Sequence, residues 1–175
     1  MKRKTAVLAI LVLGFSFMCA GFVEAATDTA SVTLSATVSS MATLTLGTST
    51  VTFANANPTT TANVQATEQN IAVTASVRTA SSPVGTATLY VLAADDLKSG
   101  TDVIPITAVT STAANTSGTF FAAGPVTWSK SSQGALVGSG NSGYFTGTFN
   151  WFLANSWTYP TGSYGTTAIY TLTAP

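Results

Sequence analysis

Histidine is absent from this 175-residue chain, and cysteine occurs once, at position 19. Those two gaps remove most of the chemistry side chains perform near neutral pH. A Ser–His–Asp triad, a Cys–His pair and the usual zinc ligand sets each need one or the other. Charge is scarce too, at six bases and six acids, or 7% of residues. With no basic patch to neutralise phosphates, nucleic acid is not an expected partner. Beyond the first 25 residues the sequence also lacks any helix-period stretch of useful length, and it has no fixed-period repeat.

The opening segment reads as an export signal. Lys2, Arg3 and Lys4 form a positive start, residues 6–20 are almost unbroken apolar, and Val23-Glu24-Ala25 suits a signal peptidase. The apolar run is short for a membrane span. Phe17-Met18 ahead of Cys19 is too bulky for a lipoprotein site. Residues 1–25 are therefore expected to be a signal peptide cleaved after Ala25, with no stable membrane insertion afterwards. The remaining chain keeps Arg78, Lys98 and Lys130 against Asp28, Glu68, Asp95, Asp96 and Asp102, a net charge of −2. It has no cysteine, so no disulfide, although it is exported to where one could form. About 150 residues suit one domain that buries about two-thirds of its unfolded surface.

What is present is threonine, serine, alanine and glycine in period-two order. In "ASVTLSATVSS" (residues 30–40), Ala30, Val32, Leu34, Ala36 and Val38 alternate with Ser31, Thr33, Ser35 and Thr37. That is a strand with one apolar face, and such a face must be buried against something. Further strands are expected at residues 42–46, 50–55, 70–78, 86–94, 103–109, 144–155 and 164–174. A broken strand spans 118–130 around Gly124-Pro125, and Pro105 demotes 103–109 to an edge or bulge. Residues 55–63 around Pro58 and 80–85 around Pro83 carry turn chemistry. "DDLKSGTD" (95–102) reads as a charged loop and "GALVGSGNSG" (134–143) as a loop or hairpin tip. Eight or nine strands with a turn signal every ten or so residues give an all-β sandwich or barrel.

Candidate chemistry is thin. Asp95, Asp96 and Asp102 share one turn-rich stretch, which reads as a solvated loop or a weak calcium site. Glu68 and Asp28 lie elsewhere, so a paired-carboxylate hydrolase has little to stand on. "GSGNSG" (138–143) matches G-x-G-x-x-G, but the phosphate-binding mechanism needs a helix N-terminus next, and "YFTGTFNW" is strand-like. Trp128, Trp151, Trp157 and Tyr159 are core aromatics or a sugar platform, with Trp151 the clearest core residue. The sequon Asn115-Thr116-Ser117 is taken as chance. No enzyme activity, cofactor or metal is expected.

A signal peptide, the alternating "VTLSATV" (32–38), the run "LYVLAADDLKSGTDVIPITAV" (89–109) and the ending "GSYGTTAIYTLTA" (162–174) together resemble subunits of chaperone–usher pili. The likeness is greatest to the alpha, or colonisation-factor, class of major pilins. It spans most of the chain at the level of pattern, and many other pilins carry a disulfide that this chain lacks. The resemblance implies an Ig-like sandwich with one strand missing. The domain would be residues 41–175, and residues 26–40 an N-terminal extension. Ala30, Val32, Leu34, Ala36 and Val38 would form the donor strand that completes a neighbouring subunit. A periplasmic chaperone, an outer-membrane usher and further pilin subunits would be the partners, and the product a surface fimbrium serving adhesion or biofilm. The competing readings are a secreted Ig-like module that binds carbohydrate or a surface partner, and an eight-stranded outer-membrane barrel. An ice-binding face is the weakest of the alternatives.

Overall fold

The computed structural model describes residues 28–80 and 85–175. The expected signal peptide, and residues 81–84 of the turn around Pro83, lie outside the described residues. The chain divides into two units, residues 1–36 and 37–175. Of the first, residues 28–36 are described; they are exposed and belong to no strand.

The second unit is all β. Its strands are β1 (Met41–Leu46), β2 (Asn63–Gln65), β3 (Ile71–Arg78), β4 (Ala87–Ala93), β5 (Leu97–Ser99), β6 (Asp102–Ile104), β7 (Val109–Ser117), β8 (Val126–Thr127), β9 (Ala135–Gly140), β10 (Gly143–Ala154) and β11 (Ala168–Thr173). One sheet runs β1-β3-β10-β7-β8, with β2 pairing the far end of β10; the other runs β11-β4-β9, and β5-β6 form a hairpin. Every pairing is antiparallel. The two sheets enclose one core, so the architecture is a sandwich and not a closed barrel.

The period-two positions explain the packing. Along β4 every second residue is buried, from Ala87 through Leu89 and Val91 to Ala93. Phe149 and Trp151 point inward from β10, and Phe149 stacks on Tyr170 of β11 with centroids 5.8 Å apart. Trp151, 2% exposed, donates its indole N–H to the Tyr170 hydroxyl at 3.1 Å. Trp128 is buried as well, and its indole N–H reaches Ser111 Oγ at 3.2 Å. Two of the four aromatics considered for a sugar platform are thus core.

Several expected elements fall differently. Residues 50–55 form no strand. Phe53 makes a single bridge to Ala66, and the Glu68 carboxylate accepts the Thr52 N–H at 2.7 Å, where a ladder carbonyl would otherwise sit. Residues 95–102 are more than a loop: Gly100, at φ +62°, opens a two-residue turn between Ser99 and Asp102 and makes the β5-β6 hairpin. The expected strand at 103–109 is cut by Pro105. Ile104 ends β6, residues 106–108 form one 3₁₀ turn, and Val109 starts β7.

Residues 134–143 are likewise not a loop but β9 and a two-residue crossing into β10. Glycine serves there as space for rings. A Cβ on Gly138 would lie 2.9 Å from the Phe120 ring, and one on Gly143 would lie 2.7 Å from that of Phe145. β7 was not anticipated, because its inward positions after Val109 are Ser111, Ala113 and Asn115. They give no apolar alternation to read.

Strand register fixes the two ends of the sandwich. Met41 pairs with Arg78 and Leu46 with Val73, while Ala168 pairs with Ala93 and Thr173 with Thr88. The Asn141-Ser142 crossing and the bond from Ala80 N–H to the Pro175 carbonyl, 2.8 Å, bring the start of β1, the end of β3 and the end of β11 to one end. The end of β1, the start of β3 and the start of β11 form the other. β1 and β11 therefore run in opposite directions.

Candidate functional site: an open flank and an exposed segment

The two flanks of the sandwich are built differently. On one, the segment 120–122 stitches the sheets together. Ser139 N–H donates to the Phe120 carbonyl and Ala122 N–H to the Val137 carbonyl, both at 2.9 Å. That segment is itself clamped by Asn115, whose Oδ1 accepts the Phe120 and Phe121 N–H groups and whose Nδ2 donates to the Phe121 carbonyl. The sequon asparagine is thus a structural bracket.

On the other flank β1 and β11 are the edge strands of their sheets and lie alongside each other, with Cα atoms within 8 Å at their closest. Among the described residues no hydrogen bond joins them. Each strand turns alternate apolar side chains toward the core. Leu44 and Leu46 of β1, and Tyr170 and Leu172 of β11, pack on the core yet stay only half-buried. Their fully covered counterparts on β4 show what a covered strand looks like. The seam therefore presents two rows of unpaired backbone groups and an incompletely covered apolar floor, which is the template that strand addition uses. Two strand spacings amount to about 9.5 Å. Where the edges approach within 8 Å, a strand entering between them has to part them by at least about 1.5 Å. At the floor, burial pushes the Tyr170 phenol up to about 12, opposed by the bond from Trp151.

The segment singled out by its alternation lies outside both sheets. Residues 28–40 are exposed throughout, with Val32 at 83% and Leu34 at 91%. Ala30, Leu34 and Val38 thus show their apolar row to solvent, and none of the five alternate residues belongs to a strand. Contiguous exposed Val and Leu on a period of two is unusual for a solvated chain.

The acidic stretch holds itself by internal pairing. Lys98 bridges to Asp95, and Lys130 to Asp96 and, at 3.7 Å, to Asp95. Asp95 also caps the Asp96 N–H, and Asp96 takes the Ile106 N–H at 2.9 Å, which ties the 3₁₀ turn to this loop. The Lys98 bond, then the Asp96 N–H, holds the Asp95 carboxyl below the usual range; the Lys130 bond, then the Ile106 N–H, does the same for Asp96. Among the described residues no group of three or more His, Cys, Asp or Glu is placed to hold a metal. Trp157 lies apart, 71% exposed, with its indole N–H on Thr59 Oγ1 at 3.3 Å. Tyr159 beside it is half-buried.

The sequence singled out Ala30, Val32, Leu34, Ala36 and Val38 as an apolar row, and the structure places all five outside any strand and exposed. The sequence did not mark Leu44 and Leu46 as seam residues, because neighbouring strands cannot be read from one strand's alternation. Comparison with protein-family models, with curated proteins and with solved structures finds no match.

Proposed function

We propose that this protein is a structural subunit of an extracellular pilus that polymerises by strand exchange, with a role in adhesion or biofilm. The observation that carries the reading is the pairing, on one chain, of an open seam between β1 and β11 with an exposed segment of matching period. Residues 30–38 of one copy enter the seam of the next. Ala30, Val32, Leu34, Ala36 and Val38 face Leu44, Leu46, Tyr170 and Leu172, while Ser31, Thr33, Ser35 and Thr37 face solvent. The contact is heterologous and does not close on itself, so it yields a fibre. Burying Val32, Leu34 and Val38 at about 1.5–3 kcal/mol each, with less from the alanines, gives about 5–10 kcal/mol before ordering costs. Ladder hydrogen bonds add about 0.5–1.5 kcal/mol net apiece. A chain that carries such a seam through export needs it covered, which is the task of a periplasmic chaperone, with an outer-membrane usher as the exit. The role is non-catalytic and requires no cofactor.

Deletion of residues 26–40 tests the reading. The truncated domain is expected to fold, to lose polymerisation, and to gain melting temperature when a synthetic peptide of residues 26–40 is added. A full-length protein that stays monomeric, together with a truncated domain that ignores the peptide, would favour the self-contained binding module instead.

A further inference from the structure

The charges of the body are sorted by end. Between residues 41 and 175 the acids are Glu68, Asp95, Asp96 and Asp102, and the bases Arg78, Lys98 and Lys130. All four acids lie at the end that holds the start of β11. Asp95 and Asp96 follow β4, Asp102 closes the β5-β6 hairpin, and Glu68 bonds Thr52 beyond the end of β1. Lys98 and Lys130 are there too, on Asp95 and Asp96, so Glu68 and Asp102 carry the surplus of −2. Among the described residues of the body, Arg78 is the charged side chain at the opposite end, exposed and directly across from Met41. The exposed Tyr144 is one ladder step away, through its pairing with Ser76.

Resting on the strand-exchange reading, the geometry then limits how two copies meet. Only Ser39 and Ser40 separate Val38 from the start of β1. Three residue steps span at most about 10–11 Å, so the body of the donating copy sits directly at the mouth of the accepting seam. Which mouth depends on strand direction. β1 and β11 run in opposite directions, so an insert between them is antiparallel to one and parallel to the other, and the ladders by themselves favour neither direction. An insert antiparallel to β11 finishes beside Ala168, at the acidic end. The donating copy leaves its own body at Met41, at the Arg78 end. An insert antiparallel to β1 runs parallel to β11 and would instead bring two Arg78 ends together.

We propose that successive copies stack head to tail, the Arg78 end of the donating copy seated on the acidic end of the accepting copy, with Trp157 as the aromatic anchor of that contact. Charge complementarity favours this orientation and disfavours the reversed one, in which like ends meet. Trp157 is the exposed tryptophan at the acidic end, held in place by Thr59. Its loop is fixed by Asn155, whose Nδ2 donates to the carbonyls of Ala56 at 2.9 Å and Thr61 at 3.2 Å. A rigid, exposed indole is the residue type that anchors such contacts. The fibre is then a stiff stack and not a string of loosely tethered beads.

The test places a photo-crosslinking amino acid at position 157 of the full-length protein. In assembled fibres the expected crosslinks run to residues 76–80 and 141–144 of the neighbouring copy. None is expected in a monomer whose own residues 26–40 have been appended after Pro175. Arg78→Glu is expected to slow assembly about two- to fivefold at low salt, and Asp102→Lys in the same chain to restore it. Fibres that form without the crosslink, that crosslink acidic end to acidic end, or that ignore both charge changes overturn the head-to-tail contact and leave strand exchange standing. A wild-type chain that forms no fibre overturns strand exchange, and this contact with it.

Discussion

Leu34 and Thr33 are neighbours that a period-two strand sends to opposite faces. Under strand exchange the Leu34 side chain enters an apolar seam, and Thr33, one residue away, points to solvent. Leu34→Asp is expected to block assembly, since an unpaired carboxylate in an apolar pocket costs several kcal/mol. Thr33→Asp is expected to leave assembly nearly intact, and sedimentation of mixed subunits compares the two. Asp95 and Asp96 give a second prediction. Both carboxyls are held below their ordinary values, by Lys98 and Lys130 first. A depressed carboxylate contributes stability that is present above its unfolded value and is lost as pH falls through the folded one. Melting temperature should therefore fall as pH drops below about 4. Asp96→Asn should flatten that fall while lowering the plateau near neutral pH.

At the scale of elements, small residues do work usually assigned to large ones. β9 is a strand because Gly138 and Gly140 leave room for the Phe120 ring, which stacks on Phe145 at 4.9 Å. Gly138→Val should lower stability by about 1–3 kcal/mol through overpacking, with denaturant midpoints as the measurement. The effect should exceed that of Gly100→Ala, where a Cβ meets nothing within 4 Å and only the backbone at φ +62° is strained. β7 makes the same point with polar residues. Ser111 receives the Trp128 indole, and Asn115 closes the stitched flank. A strand whose inward side chains are small or polar carries no period-two apolar signal.

At the scale of the whole molecule, the contrast between flanks is the organising fact. Hydrogen bonds from residues 120–122 close one side, and β1 and β11 leave the other unpaired. Appending residues 26–40 after Pro175 through a flexible linker, with the native segment removed, should fill the seam in cis. The expected product is a monomer that melts well above the truncated domain and cannot polymerise, as calorimetry and size-exclusion chromatography would show. Equal melting temperatures would mean that the seam does not accept this segment.

The all-β class, the apolar faces of β3, β10 and β11 and the apolar row of residues 30–38 were legible from alternation alone. Period two is a local property, fixed by where successive Cβ atoms point. Leu44 and Leu46 were assigned to a strand correctly, but not to a seam, since edge position depends on which strands pair across the chain. The same limit hid β7, β9 and the sorting of Arg78 away from Glu68, Asp95, Asp96 and Asp102. Those charges are interleaved in sequence and separate only when antiparallel register sends each to its end. Which apolar row stays uncovered is likewise a matter of neighbours, and only the tertiary structure supplies them.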